Sequence, residues 1–122
     1  MKEAIRSTHV VTPQNVRAAC ILFEDGRITS VENYALSPHG ISVQDFGDAF
    51  ILPRCDPPQA DHLAATWAEY VAQRYSITDL VEHSCKGSIE PGGEAAFTIL
   101  NPTRAEVACF PSGTWREVTN AP

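Results

Sequence analysis

Five residues in two short stretches carry the metal-ligand chemistry of this sequence: Cys55, Asp61 and His62, which follow the run Phe50-Ile51-Leu52-Pro53, and then His83 and Cys85. Thiolate sulfur and imidazole nitrogen suit Zn²⁺, and four such ligands, Cys55, His62, His83 and Cys85, could close a tetrahedral zinc site. Their spacings, C-x6-H and H-x-C, fit no common zinc module. The alternative account is a polar loop, a histidine at a helix end interacting with the helix dipole, and a half-buried thiol. The same residues could supply a thiol–imidazole nucleophile. That chemistry needs the two groups within hydrogen-bond reach and a third group to orient the base, and nothing in the sequence arranges them so.

Other reactive residue types fall to structural roles. His9 lies on an expected strand and His39 in the turn Ser37-Pro38-His39-Gly40, and neither is assigned a function. Cys20 and Cys109 sit inside the apolar runs "AACILF" and "VACF" and read as core residues. Gly92-Gly93 is a turn and not a phosphate loop, because no Lys-Ser/Thr follows and no helix opens there.

These residues hang on elements whose periodicity changes twice. The first block, residues 1–53, has strand grammar: "AIRSTHVV", the turn "TPQN", "VRAACILF", and "ITSVENY". Asp25-Gly26 between two apolar runs predicts a tight hairpin, whose turn needs positive φ. "VRAACILF" is apolar on both parities and predicts a central strand buried on both faces. Two short strands are expected around Ile41–Val43 and Phe50–Leu52. Three prolines between Pro53 and Pro58 then break any regular element. Leu63, Trp67, Tyr70, Val71 and Arg74 follow at helical spacing, which predicts an amphipathic helix over 59–75 with Trp67 and Tyr70 in its apolar stripe. Ser76 and Asp79 resemble a capping box opening a short second helix. From Gly87 the strand pattern returns. Pro91-Gly92-Gly93 is expected to turn between two strands, and "RAEVACF", "PSG" and "TWREVT" to form a closing hairpin.

The expectation is therefore one mainly β (α+β) domain of 122 residues: a small β-sandwich built from N- and C-terminal strands, with one or two helices inserted between them. Residues 1–53 supply the N-terminal strands, 54–85 the loop and helical insert, and 86–122 the C-terminal strands. The net charge of −6, with no Lys/Arg cluster, argues against nucleic acid or an anionic membrane as partner. No apolar run is long enough to cross a bilayer, and residues 1–20 lack a signal-peptide core. A cytoplasmic protein with free thiols is expected.

Two blocks carry a family resemblance. "IRSTHVVTPQNVRAACILFEDGRITSVENY", continuing through "VQDFGDAFILP", resembles the N-terminal arm of the cyclic amidohydrolases, the metal-dependent family of allantoinase, hydantoinase and dihydroorotase. "SITDLVEH" with "KGSIEPGGEAAFTILNP" is similar to the C-terminal return of the same enzymes. The resemblance covers about two thirds of the chain. It implies a sandwich formed by both chain ends around a metal-binding (β/α)₈ barrel, and allantoinase-like hydrolysis of cyclic amide C–N bonds.

The resemblance also implies what this chain lacks. A barrel takes about 250 residues, and residues 54–85 leave no room for one. In the family the strand ending in Leu-Pro continues as G-L-x-D-x-H-x-H, whose histidines bind metal. Here Leu52-Pro53 continues as Arg54-Cys55-Asp56-Pro57-Pro58 and on to Asp61-His62. Lys86 belongs to the sandwich block and is not the family's bridging lysine. The family's Ala-Asp after the turn is Ala95-Ala96. No catalytic residue carries over, so the expectation is a non-catalytic module without a cofactor. Its expected partner is a second copy or a separately encoded barrel subunit, and zinc binding at the Cys/His group is the alternative.

Overall fold

The structure, a computed structural model, describes residues 2–36, 39–54, 85, 87–101, 106–110 and 116–117. Eight strands form one mixed sheet: β1 (Lys2–Val11), β2 (Val16–Glu24), β3 (Arg27–Asn33), β4 (Val43–Asp45), β5 (Phe50–Pro53), β6 (Phe97–Asn101), β7 (Glu106–Phe110) and β8 (Arg116–Glu117). The strand order is β3-β2-β1-β5-β6-β7-β8, with β4 also paired to β1. β4 and β5 run parallel to β1, and every other pairing is antiparallel.

The mainly β expectation holds, and the two ends of the chain do build one sheet: β5 of the first block pairs with β6 of the last, from Phe50↔Leu100 to Pro53↔Phe97. The helices expected over 59–75 and from Ser76, with the stripe Leu63, Trp67, Tyr70 and Val71, lie outside the described residues. No helix among the described residues is long and apolar enough to cross a membrane.

Local chemistry accounts for the hairpins. Asp25 (φ 52°) and Gly26 (φ 79°) both take left-handed backbone, the pattern of a type I′ turn, whose twist matches the strands it joins. β2 is a central strand: Ala19, Ile21 and Phe23 point into the core, while Cys20 is buried on the other face. The hairpin expected at the C-terminal end forms as β7–β8, with Val107 opposite Arg116. Of the two strands expected around the Pro91-Gly92-Gly93 turn, the one before Pro91 does not form. Residues 87–95 instead run as turns, with Ile89 buried in the core.

That segment shapes the sheet. Gly92 N–H donates to Ile28 O (2.8 Å), Ile28 N–H to Gly93 O (2.8 Å) and Ala95 N–H to Gly26 O (2.9 Å). The chain entering β6 is thus pinned to the start of β3, at the far end of the strand order. The aromatic rings show the consequence. β2 and β6 are three strand spacings apart, roughly 14 Å in a flat sheet, yet the Phe23 and Phe97 rings meet edge to face with centroids 5.8 Å apart. The sheet therefore curls on itself and encloses its core. Ile5, Ile21, Ile28, Ile51, Ile89 and Ile99 fill that core, and Leu52, Leu100 and Val107 are buried as well.

Gly93 is required at the closure for a steric reason. A Cβ there would stand 2.6 Å from the Ser88 carbonyl oxygen and 3.0 Å from that of Glu90. Neither backbone oxygen can swing away as a flexible side chain would. Gly93→Ala should lower stability by about 1–3 kcal/mol, the usual cost of overpacking, measured as the urea-unfolding midpoint. An unchanged midpoint would mean that the closing segment is not held as described.

Candidate functional site

The residues that could do chemistry separate in the structure. Cys55, His62 and His83, with Asp61, lie outside the described residues. Cys85 is described: it is half-buried and disulfide-bonded, which corrects the expectation of free thiols at this position. A sulfur held in a disulfide is not a thiolate ligand. Among the described residues, no group of three His, Cys, Asp or Glu side chains could hold a metal ion. Cys20 is buried and free, and burial pushes its thiol above the ordinary value, partly opposed by the Arg6 charge. His39 lies exposed in its turn.

The densest polar constellation lies elsewhere, where β1 changes neighbours. β1 pairs with β4 through Ala4–Arg6 and with β5 through His9–Val10. Between these stretches β1 carries a bulge: Ser7 faces Ala19 and Val10 faces Arg17, so β1 has one residue too many. The bulge flips the alternation, which lets both Ile5 and Val10 enter the same core. Ser7 fastens it. Its buried hydroxyl donates to Ala49 O (2.6 Å) and accepts from His9 N–H (2.8 Å). Thr8 N–H donates to Gly47 O (2.9 Å), and Phe46 N–H to Arg6 O (2.9 Å).

Asp45 anchors the outer side of this junction. Arg6 Nε (3.1 Å) and the Tyr34 hydroxyl (2.9 Å) both donate to Oδ2, and Gly47 N–H donates to Oδ1 (2.8 Å). The Arg6 guanidinium also sits over the Tyr34 ring, 4.8 Å from its centroid. The Gly47 amide, then the Tyr34 hydroxyl and Arg6, hold the Asp45 carboxyl below its ordinary value despite some desolvation. Tyr34 is pushed the other way, chiefly because its proton is shared with Asp45. Both carboxylate oxygens are thus engaged within the fold, and the cluster ties β4 and the turn after β3 to β1.

A second group resembles a nucleophile relay but has the wrong order. Thr8 Oγ1 stands 2.9 Å from His9 Nδ1 and 3.2 Å from both Asp48 Oδ1 and Gly47 O. A hydroxyl is activated in the order hydroxyl, imidazole, carboxylate, with the carboxylate orienting the base. Here the hydroxyl stands between the other two, so Asp48 does not orient His9. The His9 ring packs on Phe50 instead, with centroids 4.6 Å apart. Neither group was singled out from sequence. The pairings span 39 positions from Arg6 to Asp45, and no local motif marks such a separation.

The sign of the acid response follows from Asp45. Its folded-state value is lowered, so its contribution is present above the ordinary carboxylate range and is lost as pH falls through the lower folded value. With 37% of the side chain exposed, the Arg6–Asp45 pair is worth at most about 1 kcal/mol. Asp45→Asn should therefore lower the urea midpoint slightly at neutral pH, and the difference from the parent should vanish in acid. A difference that persists in acid would assign the effect to packing and not to charge.

No family model matches the chain. An alignment of 87 residues, taking in 64% of this chain, is 33% identical to an allantoinase of Streptomyces avermitilis and covers 20% of that protein. Similar solved structures include a dihydropyrimidinase from Brevibacillus agri, at 25% identity and TM-score 0.39, over 45% of this chain and 12% of that one. A D-hydantoinase matches at 20% identity and TM-score 0.40, over 54% of this chain and 18% of that one. This chain spans about a fifth of the length of the curated relative it matches. In sequence, it is similar to the cyclic amidohydrolases over part of its own length and a smaller part of theirs.

Proposed function

We propose that this chain is a non-catalytic composite sheet domain of the cyclic amidohydrolase type, working as a structural or interaction module and not as a hydrolase by itself. The observation that carries this reading is the pairing of β5 with β6, in which Pro53 stands opposite Phe97. The chain leaves the sheet and returns to it on adjacent strands, so an intervening domain can be present or absent without rearranging the sheet. The residues between the two similar blocks are too few for a barrel of about 250 residues. The stretch after Pro53 also lacks the paired histidines that would begin a metal site.

A second reading is favoured by the similarity to an allantoinase: a subunit that completes a separately encoded barrel and takes part in hydrolysis of cyclic amide C–N bonds only in that complex. In either case the chain alone is not expected to activate water as those enzymes do, because the paired histidines that begin their metal site do not follow Pro53.

The test is hydrolysis of allantoin and of hydantoin by the purified chain, with and without added zinc, alongside its metal content by elemental mass spectrometry. No turnover above buffer is expected. Metal-dependent turnover by the chain alone would overturn the proposal. Light scattering at high concentration then distinguishes the partners: a dimer identifies a second copy, and a monomer directs the search to a barrel subunit.

A further inference from the structure

We draw no further inference here: the strongest candidate, the open groove between the starts of β1 and β4, lined by Lys2, Glu3, Ser42 and Gln44, carries nothing, because these side chains are all exposed and nothing in the structure shows what fills it.

Discussion

An eight-stranded sheet that gathers Ile5, Val10, Ile21, Phe23, Ile28, Ile51, Phe97 and Ile99 into one core cannot lie flat in water, because it would expose that apolar face. The backbone contacts between residues 92–95 and the start of β3 decide how it avoids that. They place the chain entering β6 against Gly26 and Ile28, which draws the last strands over the first. The Asp25–Gly26 turn has two tasks here. It reverses the chain between β2 and β3, and it presents the Gly26 carbonyl to Ala95 N–H. The closure also covers the start of β3, an outer strand that would otherwise offer unpaired backbone groups at its first residues. Arg54 and Glu94 sit beside it, with nitrogen and oxygen 3.6 Å apart. Both are exposed, so this pair adds little.

On the other side of the core the constraint is the change of partner along β1. A single strand cannot face β4 and then β5 unless the intervening backbone groups are satisfied by something else. Here Phe46–Ala49 do this, through Gly47 O, Ala49 O and the Phe46 amide. The bulge in β1 keeps the core side chains in phase across the change. Had Ser7 been apolar, the Ala49 carbonyl would lose this donor in a buried setting, which costs about 1–3 kcal/mol for a buried group left unsatisfied, and the half-buried His9 amide would lose its acceptor. The polar residues of this junction are therefore explained by the geometry of the sheet. They need no ligand.

The N-terminal strands and the Asp25–Gly26 hairpin were legible in the sequence because their signals are local: a period of two in the apolar residues, and Asp-Gly where left-handed backbone is needed. The order of the strands in the sheet was not. The central place of β2 followed from its apolar residues on both parities, but its burial is complete only on the Ala19–Ile21–Phe23 side; on the other, Cys20 is buried, Val16 and Leu22 are half-buried and Ala18 is exposed. That both chain ends join one sheet followed from the return of strand periodicity after residue 86, supported by the likeness of both ends to one family; which strands pair was not legible, since no local signal links Leu52 to Thr98. The closing segment was misread in part. Gly87–Glu90 has strand-like composition, yet Ile89 enters the core from a turn, and its neighbours bond to β3 and not to a strand of their own. The junction around Asp45 was invisible for the same reason: Arg6, Tyr34 and Asp45 are ordinary surface residues until the topology brings them together. The Cys/His group had the opposite fate. Its residue types stood out, and Cys85, the member that the structure describes, has its sulfur in a disulfide.

The position of Pro53 beside Phe97 bears on how such a sheet tolerates very different connections. The cost of closing a flexible loop grows only with the logarithm of its length. Going from the residues between β5 and β6 here to a connection of about 250 residues costs about 1.5 kcal/mol of closure entropy on that scale. Burial of Leu52, Ile99 and Leu100 on these strands contributes more, at about 1.5–3 kcal/mol for each side chain. The sheet is therefore nearly indifferent to what is inserted, provided that the two strands meet and the closing segment reaches β3. Selection on the sheet alone cannot preserve a barrel. What the insertion must still provide is cover for any apolar surface that a barrel would have shielded, and this is why the partner of the module, more than its chemistry, is the physical question the fold poses.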